Sequence, residues 1–126
     1  MDNNVISIRD DDKLRFWGKT IDTWCAVAHE DSKSRGFHDT KRNIGEAVAL
    51  IHSEASEALE CWRTGTPITE SWTGENGKPE GFPAELADLV IRVMDLCGEY
   101  NIKLGQHIAE KMLYNRTRPY KHGKIA

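Results

Sequence analysis

Four acidic residues stand in two pairs of equal spacing: Glu54 with Glu57, and Glu85 with Asp88. Residues three apart on an α-helix share a face. Glu54 sits among Ile51, Ala55, Ala58 and Leu59, which read as core. A carboxylate there is costly to desolvate unless positive charge meets it. Projected at about 100° per residue, Glu54 falls inside the apolar arc of its helix, between Cys61 and Ala47. Glu57 falls at the edge of that arc, while Glu60 and Glu46 lie on the wet face. On the next helix Glu85 lies beside Leu96 at the apolar margin, and Asp88 adjoins it on the polar side, which Arg92 and Asp95 continue. Antiparallel packing of the two helices would bring the pairs together. Four converging carboxylates need compensation. A hard divalent cation, Mg²⁺ with Mn²⁺ as its substitute, suits a set of oxygen ligands. Each pair alone also fits a solvated helix face, with Asp88 and Arg92 as an ordinary ion pair. Two pairs on facing margins point to a metal. The histidines form no H-x-x-x-H pair, so no Cys/His cluster is expected to compete for a softer ion.

Lys111, Asn115 and Arg118 step by four and three. If the last helix continues that far, an amine, an amide and a guanidinium line one face and suit a phosphate chain. The alternative is a polar outer face whose positive charge the helix dipole favours. Trp72, in a polar segment, either stacks on a base or covers its loop. His38, after "GF", either hydrogen-bonds a base or serves as a cap or surface residue. Trp17, Trp24 and Trp62 read as core.

Four helices must position these groups. The spacing predicts the first over about Asp12 to Ser34, with Trp17, Ile21, Trp24 and Ala28 on one side. Asp39 or Thr40 is the expected cap of the second, which runs to about Arg63 on an Ile44, Val48, Ile51, Ala55, Ala58, Trp62 seam. "TGTPITESWTGENGKPEGF" reads as a long loop without strands. Pro83 suits the first turn of the third helix, which Gly98 and "YN" end, and the fourth spans about Ile102 to Asn115. The expected fold is an all-α bundle of four to five helices. It forms one domain over residues 1–126, with loose ends at 1–11 and 119–126.

The chain of 126 residues is 39% hydrophobic and 29% charged, as folded proteins are. Its net charge of −3 gives no basic footprint for nucleic acid, and no apolar run is long enough to span a membrane. Cys25, Cys61 and Cys97 cannot all pair, which suits free thiols in a reducing cytoplasm.

"HSEASEALE", "FPAELADLVIRVMDL" and "KMLYNRTRPYKHGK", in that order, resemble the MazG-like all-α nucleoside triphosphate pyrophosphohydrolases. The likeness extends over about residues 36 to 124, and its E-x-x-E and E-x-x-D motifs fall on Glu54, Glu57, Glu85 and Asp88. It implies that these acids bind Mg²⁺ and that a nucleoside triphosphate is split into monophosphate and pyrophosphate. It also implies phosphate contacts from Lys111, Asn115 and Arg118, and assembly as a homodimer or homotetramer with sites near subunit contacts. Water would attack between the α and β positions, with Glu57 orienting it and Lys111 and Arg118 stabilising the departing pyrophosphate. The rivals are a phosphoribosyl-ATP pyrophosphohydrolase, a nucleotide-binding module without turnover, and a plain helical dimerisation unit.

Overall fold

The computed structural model describes residues 11–124, the side chain of His122 apart. The expected loose ends at 1–10 and 125–126 lie outside the described residues. Four α-helices carry the described fold: α1 (Asp11–Ser34), α2 (Ile44–Arg63), α3 (Phe82–Glu99) and α4 (Leu104–Arg116). Asp11 belongs to α1, and Tyr120–Gly123 forms a short 3-10 helix. The α2–α3 loop also departs from expectation. Its strands β1 (Trp72–Thr73) and β2 (Pro79–Glu80) pair antiparallel, Trp72 opposite Glu80. Asn76 (φ 58°) and Gly77 (φ 79°) make the turn, a left-handed conformation that Asn and Gly tolerate.

Helix α2 starts later than expected. Asn43, not Asp39 or Thr40, is its cap, accepting from the amides of Gly45 (2.7 Å) and Glu46 (3.3 Å). Pro83 lies in the first turn of α3 as expected, and Asn101, at φ 53°, closes the helix. Helix α4 has no cap of its own; Asp22 of α1 accepts from the Gly105 amide at 2.7 Å instead.

Helices α3 and α4 run in succession along α1, both antiparallel to it. Cys25 and His29 meet Gly98 and Asp95, Gly18 meets Gly105, and Asp11 meets Arg116. Helix α2 packs antiparallel on α3. The core lies between α1 and α3, where Cys25, Ala28, Met94 and Cys97 are buried together. Burial raises the thiol pKa of both cysteines, and their mutual proximity adds to this at Cys25.

The predicted seam of α2 is only partly covered. Ala47, Glu54 and Ala58 form its buried line, whereas Ile44, Val48, Leu59 and Trp62 (58% exposed) face outward. Trp24 is also outward, at 61% exposed, so neither tryptophan is core; Trp17 is half-buried.

Candidate active site

The α2–α3 packing puts the acids together. Carboxylate oxygens of Glu54, Glu85 and Asp88 lie within 4.8 Å of one another. Glu54 is only 7% exposed, as its place on the apolar arc predicted. Glu57 borders the group closely enough to raise the Glu85 pKa. Burial is the largest cause of that rise, followed by Glu57, Asp88 and Glu54. Asp88 is exposed as a residue, yet partial desolvation of its carboxyl and then Glu54 raise it too, against the opposing pull of Lys78 and Arg92. The group is therefore short of positive charge. Glu85 Oε2 is buried with no hydrogen-bond partner. An orphaned carboxylate oxygen amid repelling acids fits a hard cation.

One cation is already present. Arg92 Nε donates to Glu54 Oε1 at 2.6 Å. Instead of the alternative Asp88–Arg92 ion pair, Arg92 bonds across the helices and gives Glu54 a partner without any metal, while its charge still lowers the Asp88 pKa. It offsets one negative charge among the four acids. Lys78, delivered by the hairpin, lowers the Asp88 pKa. Sequence spacing gave no sign of Lys78, because only the hairpin's fold brings it to α3.

The acids open onto a groove of about 480 Å³ between α1, the 35–43 loop and α3. Glu54 and Asp88 line it, with Arg35, Phe37, Arg42 and Trp24. Its size is that of small-molecule sites.

Other expected site residues fare differently. His38 does not offer a free edge to a base: Nε2 lies 2.8 Å from Asp95 Oδ1 and Nδ1 lies 2.8 Å from Glu99 Oε2. Asp95 was expected on the polar side of α3 but is 6% exposed. It also meets His29 Nδ1 at 3.0 Å and Arg42 Nη2 at 3.0 Å. A His/His/Asp group therefore exists, contrary to the expectation drawn from histidine spacing. Burial pushes the Asp95 carboxyl up, but hydrogen bonds from His29, His38 and Ser32 outweigh it and hold the pKa low. Trp72 is exposed and donates its indole N–H to Glu80 Oε2 at 3.0 Å, bracing the hairpin.

The basic stripe lies elsewhere. Helix α4 ends at Arg116, so Arg118 is beyond it, with its guanidinium 5.8 Å from the Tyr114 ring centroid. Lys111 is exposed and Asn115 half-buried. Since α3 and α4 follow one another along α1, the stripe is roughly 30 Å from the acids of its own chain, at 1.5 Å per helical residue. No family model, no curated protein and no solved structure matches this chain.

Proposed function

We propose that this chain is a Mg²⁺-dependent nucleoside triphosphate pyrophosphohydrolase of the MazG-like kind, acting on (deoxy)nucleoside triphosphates in nucleotide pool control or house-cleaning. The observation that carries the reading is the convergence of Glu54, Glu85 and Asp88 beside a groove that Glu54 and Asp88 line. When bound, a divalent cation neutralises phosphate charge and makes the phosphorus a better electrophile. Glu54, Glu85 and Asp88 would hold it, and Mn²⁺ could replace Mg²⁺. Glu57 is exposed beside Glu85 and is our choice for the group that would orient a water and take its proton. The new bond forms between that water's oxygen and the α-phosphorus. The bond from the α-phosphorus to the bridging oxygen breaks, and pyrophosphate leaves.

We infer a homo-oligomer, dimer or tetramer. Helix α2 packs mainly on α3, and Ile44, Val48 and Trp62 of α2 with Leu86 and Val90 of α3 remain exposed. These exposed apolar side chains on two packed helices are the support for that inference. A second copy could also present Lys111, Asn115 and Arg118 to phosphates that their own chain's acids cannot share with them. Among the described residues no helix is long and apolar enough to cross a membrane. A cytoplasmic setting suits the three free cysteines.

The test is pyrophosphate release from dCTP, dUTP, dTTP, dGTP, dATP, ITP and phosphoribosyl-ATP, with and without Mg²⁺. Metal-dependent release of pyrophosphate with a nucleoside monophosphate supports the reading. Turnover of phosphoribosyl-ATP alone would assign the sister activity. Metal-dependent nucleotide binding without pyrophosphate would leave a binding module.

A further inference from the structure

Asp95 lies seven residues beyond Asp88 on α3, about 10 Å along the helix axis. Three groups converge on it: His29 Nδ1 at 3.0 Å, His38 Nε2 at 2.8 Å and Arg42 Nη2 at 3.0 Å. Glu99 fixes His38 from the other side at 2.8 Å, and the two imidazoles meet edge-on with centroids 4.6 Å apart. His29, His38 and Asp95 could by themselves ligate a metal. Arg42 Nη2, however, lies 3.4 Å from His38 Nε2 and bonds Asp95, so a positive group already occupies the junction. The cluster is better suited to holding Arg42 still.

Arg42 lines the same groove as Glu54 and Asp88. A guanidinium has five N–H groups. One bond to Asp95 leaves donors over, and Nε is buried with no partner. Phe37, next to His38, lines this end of the groove at 64% exposed. Trp24, next to Cys25 and hence near the C-terminal end of α3, lines it as well. One end of the groove thus offers carboxylates for a metal–phosphate group, and the other offers aromatic faces and an anchored guanidinium.

We propose that Arg42 reads the base of the nucleotide, donating two neighbouring N–H groups to two adjacent acceptors on the base edge. This deepens the pyrophosphohydrolase reading and rests on it for the placement of the phosphates. Cytosine offers O2 and N3, and guanine or hypoxanthine offers O6 and N7. Uracil and thymine interpose an N–H between their carbonyls, and adenine sets its amino group beside N1 and N7. A site built around donors rejects bases that leave those donors unpaired. The substrate class is therefore a triphosphate of cytosine, guanine or hypoxanthine. Asp95, with His29 and His38 behind it, positions Arg42.

Two measurements on the full chain test this: kcat/KM for dCTP, dGTP, dITP, dATP, dTTP and dUTP, and dissociation constants of their non-hydrolysable α,β-methylene analogues with Mg²⁺. At least one adjacent-acceptor base is expected to lead dATP, dTTP and dUTP by about tenfold or more in both. The dCTP and dGTP arms identify which edge is read. Arg42→Lys, which keeps the charge but loses the fork, brings the ratio close to one. Equal use of all bases by the wild type, or a lead for adenine or uracil, overturns the proposal. So does an Arg42→Lys variant that weakens every nucleotide alike, which would make Arg42 a phosphate ligand. Base-selective analogue binding without turnover would sink the hydrolase reading and keep this one; turnover without selectivity would do the reverse.

Discussion

Arg92 and Glu54 join α3 to α2 through a 2.6 Å bond from Nε to Oε1, inside the carboxylate group proposed to hold a divalent cation. The guanidinium and the cation answer the same need, so they should compete. Arg92→Gln is expected to destabilise the metal-free protein by about 1 kcal/mol, below the usual range for a charged hydrogen bond because the arginine is partly screened by solvent. The same change should tighten Mg²⁺ binding, since a competitor is gone. Urea midpoints with and without Mg²⁺ check both parts. An unchanged Mg²⁺ affinity would separate Arg92 from the metal site.

A cation that binds only the folded chain raises its stability by mass action. Mg²⁺ at about 100 times its dissociation constant should add about 2.7 kcal/mol, read as a rise in Tm that chelator reverses. Mn²⁺ should behave alike. Asp88→Asn should remove most of the rise. A Tm indifferent to divalent ions would argue against a metal at these acids.

The Asp95 network makes stability depend on acidity. Its carboxyl pKa is held low by His29, His38 and Ser32 despite burial. A depressed carboxyl contributes stability above the usual Asp value of about 3.9, and that contribution is lost as pH falls through the folded value. Glu85 and Asp88 act oppositely: raised pKa values favour the fold at low pH, and that contribution is lost as pH rises through them. The difference in denaturation midpoint between wild type and Asp95→Asn isolates the first effect. It should be largest near neutrality and shrink below the ordinary Asp range. A difference that stays constant down to strongly acidic pH would contradict the assignment.

Gly18 and Gly105 let α1 and α4 cross with backbones in contact. A Cβ on Gly105 would overlap the Gly18 carbonyl oxygen, and one on Gly18 would come within 2.6 Å of the Gly105 oxygen. Gly105→Ala should cost about 3 kcal/mol, the upper end for overpacking. It should also weaken the Asp22 cap of α4. Thermal melts of Gly105→Ala and Asp22→Ala check this; a Gly105→Ala protein as stable as wild type would show that the helices separate at no cost.

Helical periodicity made four helices and the inward Glu54 legible, because each depends on spacing within one helix; that Glu85 and Asp88 meet it followed only once α2 and α3 pack antiparallel. Asn43 with Glu46 three residues on was a readable cap signal that Asp39 and Thr40 obscured. The Asp95 cluster was not legible. Its members come from α1, the 35–43 loop and α3, with 66 and 57 residues separating the histidines from the aspartate. Projecting α3 alone placed Asp95 on a polar side, and only the neighbours decide that this side is buried. The α2 seam failed for a related reason. Periodicity reveals an apolar line but not whether the same chain covers it, and Ile44, Val48 and Trp62 are left exposed. Nor does spacing along α4 tell how far its stripe stands from the acids.

The most direct measurement is pyrophosphate release from a nucleoside triphosphate by wild type, Glu54→Gln and Asp88→Asn in saturating Mg²⁺, with helicity followed by circular dichroism. Hydrolysis at this cluster requires each variant to lose at least about a hundredfold in rate, as loss of a single stabilising group in an active site typically does, while its helices stay formed. Wild-type turnover in both variants would place the chemistry, if any, somewhere other than these carboxylates.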